Sequence, residues 1–416
     1  MLKKQIKIKR NSIFFLLAMV VVAAGTYYMK LATACFCVAM FQLLTILCIA
    51  KLSIFSIFTT LINFCLIQEY VSYVGTEVYG LLEMMNVPRY FFELFVCVYV
   101  FNIFMYIVIT NTNCLKCESE LFKEKMDVGY GMSIALAMLA VIITLLIFPS
   151  MPSISSFSSE GRFNNGIISF AGWSCLPFFF LAIALMNKKS TKFVLPMTLF
   201  VVCWFIFHGE RVDSIGFMTL FAIKYYNEHS GKGALIKEII CAFMVLVLLV
   251  AVGMLRSGVN NISFGDLVHS LFIQPTACDV TYVFNCAVDM TKKGLSFHGI
   301  TYLSYIINCV PLLPDSYSFQ SNIHEYYYTA GGGLFFAEPV ANFGIGFACV
   351  FSCIYIVFLA LVVKKQSRYH YMVYAALCIT IFRSAWYGLN YPIITILYFA
   401  PAILIAYNFL SKRRRT

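Results

Sequence analysis

The sequence predicts an all-α, polytopic integral membrane protein with about twelve transmembrane helices and one large extracytoplasmic loop between the ninth and tenth. Three observations predict it. Of 416 residues, 61% are hydrophobic and 12% charged, about half the charge of an ordinary soluble domain. So little charge cannot cover a 47.2 kDa globule, which argues against a soluble enzyme, a disordered chain or a fibrous repeat. Apolar windows near the length needed to cross a hydrocarbon core of about 30 Å recur along the chain. The basic residues then sort to one side of the windows.

The first ten residues hold five basic side chains before an apolar run. No small-residue cleavage pattern leads into a polar domain, so the reading is an uncleaved first helix. Windows follow at about 12–29, 31–50, 52–68, 90–110, 131–148, 166–186, 193–207, 212–227, 235–254, 341–363, 370–388 and 391–410. The eighth is the weakest, being short and holding Asp213. With the N-terminus in the cytoplasm, 22 of the 30 basic residues fall on the cytoplasmic side. Omitting the eighth window would put the basic stretches 364–368 and 412–415 on the wrong side, so it is kept. Both termini are then cytoplasmic. The net charge of +11 reflects these loops, and no nucleic-acid partner is expected.

Residues 255–340 form the exception. The segment is long for a connection, and long loops inside compact folds are usually functional. With apolar patches at 267–273 and 299–313, it reads as a small subdomain resting on the bundle, within a single membrane domain spanning 1–416. Many of the 16 cysteines sit in apolar runs as small hydrophobes. Cys114 and Cys117 make one CxxC with no further ligands nearby, so no metal site is expected.

Charges that topology does not sort are the functional candidates, because an ionisable group at membrane depth is costly unless it faces a partner or water. His208-Gly209-Glu210-Arg211-Val212-Asp213 lies at the outer end of the seventh window. Arg211 could bind a phosphate with its fork of donors, or its neighbours could simply neutralise it. Arg256 follows the ninth window, where it is either a second phosphate ligand or a snorkelling side chain. A diphosphate leaving group needs two or more positive charges or a divalent metal. No Asp-x-Asp pair holds a metal in the outer segments, so arginine would take that part.

The loop carries His269, His298 and His324. Histidine suits general-base work near neutral pH, although a satisfied hydrogen-bonding role is the plainer account, preferred for His269. Gly331-Gly332-Gly333 permits close backbone approach to a ligand, or serves as a hinge. After it, Glu338 and Asn342 stand four residues apart on one helix face, placed to hold a proton or sugar hydroxyls, or to cap a helix. Tyrosines, Tyr302 among them, suit sugar rings and membrane interfaces alike.

The glycine run followed by Glu338-Pro339-x-x-Asn342-Phe343-Gly344, with Gly209-Glu210-Arg211 at the outer end of a mid-chain helix, resembles the Wzy-type O-antigen polymerases. Tyr302 and Asn308-x-x-Pro311 fit the same pattern. The likeness covers mainly 205–345 and the overall topology. It implies a GT-C-like, metal-independent, inverting glycosyltransferase without a cofactor, in the bacterial inner membrane with its active site on the periplasmic face. The growing glycan would pass from undecaprenyl diphosphate to the non-reducing end of a new lipid-linked repeat unit, and a chain-length regulator is a possible protein partner. Arg211 and Arg256 would bind diphosphate; His298, His324 or Glu338 would deprotonate or orient the acceptor; Glu210, Tyr302 and Asn342 would contact sugar. O-antigen ligases share the donor and similar chemistry. A lipid-linked oligosaccharide flippase would instead show two related halves, and a purely structural partner would leave the Gly-Glu-Arg turn unexplained.

Overall fold

The computed structural model describes residues 10–75, 87–122, 128–151, 173–187, 189–208, 210–228, 263, 265, 273–307, 317–329 and 331–413. Among them the secondary structure is helical, with no strand. The first half runs α1 (Arg10–Tyr28), α2 (Ala32–Ala50), α3 (Ile54–Val74), α4 (Phe91–Asn111), α5 (Cys114–Leu121), α6 (Tyr130–Ile147), α7 (Leu176–Ala184), α8 (Thr191–Phe207) and α9 (Val212–Glu228). The second half runs α10 (Pro275–Lys292), α11 (Leu303–Ile307), α12 (Phe319–His324), α13 (Ala337–Lys364), α14 (Arg368–Ile379), α15 (Ile381–Trp386), α16 (Asn390–Ile394) and α17 (Ala400–Arg413).

Five of the described helices, α2, α3, α4, α6 and α13, are long and apolar enough to cross a membrane. Eleven of the twelve apolar windows overlap a helix, and the window at 235–254 lies outside the described residues. The helices present apolar side chains outward as well as inward: Leu44, Met138, Leu199, Ile354 and Leu361 are all exposed. Such all-round hydrophobicity suits helices bathed in lipid.

The long segment before α13 contributes more than a surface cap. Helix α10 has thirteen of its eighteen residues buried and packs against α3 and α13. Asp279, Thr281, Asn285 and Asp289 interrupt its apolar pattern, so it forms no apolar window. Most of its buried polar groups are satisfied inside the bundle, as burial requires, although the Tyr282 hydroxyl has no hydrogen-bond partner among the described residues. Asn285 donates to both carboxylate oxygens of Glu69 on α3, at 3.2 and 3.0 Å. Tyr90 and Tyr327 donate to Asp289 at 3.0 and 2.7 Å. CxxC proves to open a short helix: Cys114 is buried at the start of α5 and Cys117 is half-buried.

Helix α13 is broken. Gly344 has φ 81° and ψ −179°, outside helical space and in a region where a side chain would be strained. The fold-back this produces is visible in the packing. An unbroken helix would advance about 24 Å between positions 335 and 351, yet the rings of Phe335 and Phe351 are 5.4 Å apart, and that of Tyr355 is 5.1 Å from Phe335. The chain therefore enters through the short limb 337–343, turns at Gly344, and runs back along the long limb of α13. The aromatic floor of the hairpin, Phe335 and Phe336, rests on Phe58 of α3 and Phe101 of α4.

A second break lies opposite. Between α14 and α17 the helix is interrupted at Thr380, at Tyr387–Leu389 and by a π turn, Thr395–Phe399. The segment leading into α13 pairs with this second break. Gly333 and Phe335 donate their backbone N–H groups to the carbonyls of Trp386 and Ala385, at 2.9 and 2.8 Å. Backbone that leaves helical geometry is tolerated where protein satisfies its polar groups, and here it does.

Candidate functional site

The two broken segments, with residues 304–305 and 318–320, line a narrow cleft whose cavity volume is about 30 Å³, opening onto a larger space that includes solvent. Ser304, Tyr305, Ser318, Gln320, Ser384 and Asn390 give it polar walls, and Phe319, Phe335 and Tyr387 give it aromatic ones. Glu338 supplies the carboxylate. The amide oxygen of Asn390 is buried with no hydrogen-bond partner among the described residues. Such a group is costly to leave unmade and waits on a donor.

Glu338 and Asn342 share one face of the short limb, as their spacing predicts. One Glu338 oxygen accepts from Thr301 Oγ1 at 2.7 Å and the other from the Tyr305 hydroxyl. Asn342 donates to the Thr301 hydroxyl at 2.7 Å, and its Oδ1 accepts from the Gly299 backbone at 2.7 Å. Ser296 Oγ and the Phe297 backbone N–H reach the carbonyls of Asn342 and Ala341, at 2.5 and 3.1 Å. The half-helix therefore clamps the 296–305 segment over the cleft. Asn342 is consumed by that clamp. Glu338 is not, because a carboxylate has about four acceptor positions and its two hydroxyl bonds leave room for a ligand donor.

The glycine run approaches protein closely at this point. A Cβ at Gly332 would stand 2.9 Å from the Trp386 carbonyl and from the Tyr387 ring; one at Gly333 would stand 2.9 Å from the Phe319 ring. Larger residues would push the cleft walls apart.

The other sequence candidates are distributed as follows. Tyr302 packs against Phe343 and Phe351, at 6.5 and 6.4 Å between ring centroids, and its hydroxyl is buried without a hydrogen-bond partner among the described residues. His298 is exposed in a left-handed conformation, φ 49°. His324 is exposed at the end of α12, its Nε2 3.3 Å from the Thr329 hydroxyl. Neither histidine lines the cleft. Arg211 is partly buried at the start of α9. Arg256 and His269 lie outside the described residues. His208 ties α8 to the end of α6, its ring nitrogens 2.7 and 3.0 Å from the carbonyls of Trp204 and Ser150.

Glu210 and Asp213 pair with a residue that sequence reasoning passed over, Arg383 of α15. Its Nη2 lies 2.8 Å from Glu210 Oε1 and 2.9 Å from Asp213 Oδ2, and its Nε lies 3.1 Å from Asp213 Oδ1. All three side chains are at most 3% exposed. The guanidinium also faces the rings of Tyr391 and Tyr387, at 4.7 and 5.3 Å. A signal did exist: Arg383 stands inside an apolar window on no cytoplasmic loop, the property that singled out Arg211.

The chain matches no protein-family model, no curated protein and no solved structure.

Proposed function

We propose that this chain is a membrane glycosyltransferase acting on lipid-diphosphate-linked glycans, in the manner of the Wzy-type O-antigen polymerases that its 205–345 region resembles. The observation that carries the proposal is Glu338, a carboxylate with unused acceptor capacity facing a cleft of hydroxyls, amides and aromatic rings. Hydroxyl and amide groups match the edges of a sugar, and rings match its faces. An acceptor sugar hydroxyl attacks the anomeric carbon of the donor. The new C–O bond forms as the bond to undecaprenyl diphosphate breaks, which inverts the centre. The hydroxyl proton passes to Glu338, preferred over His298 and His324 because neither of those lines the cleft. Arg211 and Arg256 balance the charge gathering on the leaving diphosphate. The reading places the chain in a bacterial inner membrane with the cleft on the periplasmic side, where a chain-length regulator is a plausible partner.

The test is genetic and direct. A strain lacking the chain should carry single repeat units on its lipid core, and the wild-type gene should restore long chains. Polymer stranded on the lipid carrier would instead identify a ligase. Two broken helices meeting at the bundle core also occur in transporters, which favours the flippase as a second reading. Repeat units held on the cytoplasmic leaflet in the deletion strain would select it.

A further inference from the structure

Three charged side chains removed from water are a poor way to gain stability, since their attraction barely offsets the cost of desolvating them. The Glu210–Arg383–Asp213 cluster is buried all the same, and its position in the fold supplies a reason. The Arg383 carbonyl accepts from the backbone of Tyr387 and Gly388, at 2.7 and 3.0 Å, and so shapes the turn that ends α15. The Arg383 guanidinium lies under the rings on both sides of that turn. The last two carbonyls of the helix, Ala385 and Trp386, hold Phe335 and Gly333 on the approach to Glu338. One residue therefore stands where two walls of the cleft are attached. The carboxylates that fix it come from the turn into α9, and α9 is seated without slack: a Cβ on Gly216 would lie 1.8 Å from the Ile379 carbonyl of α14.

We propose that Arg383 is a positioning residue: locked by Glu210 and Asp213, it sets the 387–390 wall of the cleft against Glu338. Its effect on glycan transfer rests on the transferase reading, while its effect on the wall does not. The fork geometry matters because two carboxylates on adjacent edges fix the guanidinium plane, which a lysine ammonium cannot reproduce.

The experiment uses the full chain in its native membrane. A triple variant, Glu210→Leu with Asp213→Leu and Arg383→Met, removes the three charges of the cluster together. Cysteines placed at Ser318 and Asn390, both lining the cleft, are joined by a short bis-maleimide, and the linked peptide is quantified by mass spectrometry. The expected result is wild-type insertion, a cross-link yield reduced at least fivefold, and an apparent KM for the lipid-linked acceptor raised at least tenfold. Arg383→Lys should recover only part of either loss. Should the triple variant fail to insert, Tyr387→Leu with Tyr391→Leu, which keeps the ion pairs and removes the rings, must lower the cross-link yield in the same way. An unchanged yield in the inserted variant overturns the proposal, even if transfer is lost. Failure of the wild-type chain to extend glycan overturns the transferase reading alone, and the cross-link still decides the role of Arg383.

Discussion

Two buried glutamates share a residue type and differ in consequence. Glu118, on α5, accepts at 2.9 Å from the Ile54 backbone N–H, the first residue of α3, and also from the Tyr374 hydroxyl of α14. Glu338, in the cleft, also has two donors. At Glu118 the donors come from helices that close around it, and one is a helix N-terminal N–H otherwise without a partner. At Glu338 the surrounding helices are broken and empty space adjoins the carboxylate. Burial and hydrogen bonding alone therefore do not mark a functional carboxylate. The added feature is a backbone that gives up helical continuity to leave room beside it.

The largest effect that could break this contrast falls on Arg383. Arg383→Leu alone leaves Glu210 and Asp213 buried without their cation, a loss of about 3–5 kcal/mol. The folded protein should nearly vanish from membranes on immunoblotting. The charge-free triple variant should return to near wild-type amounts, and if the single variant is equally abundant the cluster is not structurally coupled. Next comes Glu338→Gln, which keeps the Thr301 bond and most of the shape but removes the proton acceptor. Loss of a general base typically costs about 10²–10⁴-fold, so glycan should remain as single repeat units while insertion is unchanged. Long chains in that variant would place the base elsewhere, at one of the exposed histidines.

What could be read in advance follows the same division. Continuous apolar runs such as 91–111 and 130–147 announce their helices because each residue there independently prefers lipid. The pairing of Glu338 with Asn342 was legible because spacing on a helix is local geometry. Helix α10 was not, since Asn285 and Asp289 look like loop residues until Glu69, Tyr90 and Tyr327 are seen around them. The fold-back at Gly344 was hidden for the opposite reason: the run 341–363 is apolar throughout, and periodicity does not register a reversal of direction. Glu210 and Asp213 were visible, but their partner stands 170 residues or more away in sequence.

At Glu118 the contrast sharpens through pH. Burial pushes the Glu118 carboxyl up to about 7 from an ordinary value near 4.5. A raised carboxyl contributes its stability fully below about 4.5 and loses it as pH rises through about 7. Glu118→Gln keeps both acceptor bonds on its carbonyl oxygen and removes the titration. In thermal unfolding of the purified chain, the variant should gain on wild type by about 2–3 kcal/mol between pH 5 and pH 8. A gap that does not change with pH would mean that Glu118 is already solvated.

The smallest effect separates close packing from backbone strain. Gly332 and Gly344 both have positive φ, 84° and 81°. A Cβ at Gly344 would meet nothing within 4 Å, whereas one at Gly332 would strike the Trp386 carbonyl and the Tyr387 ring. Gly344→Ala meets no atom but enters a backbone region that essentially only glycine occupies, so it should cost about 1–3 kcal/mol and leave glycan length near wild type. Gly332→Ala is also strained at positive φ and in addition pushes on the wall that Arg383 holds, so it should shorten the glycan per folded molecule. If the two variants shorten chains equally, the cleft tolerates displacement of its wall, and the return of the half-helix at Gly344 becomes the feature on which transfer depends.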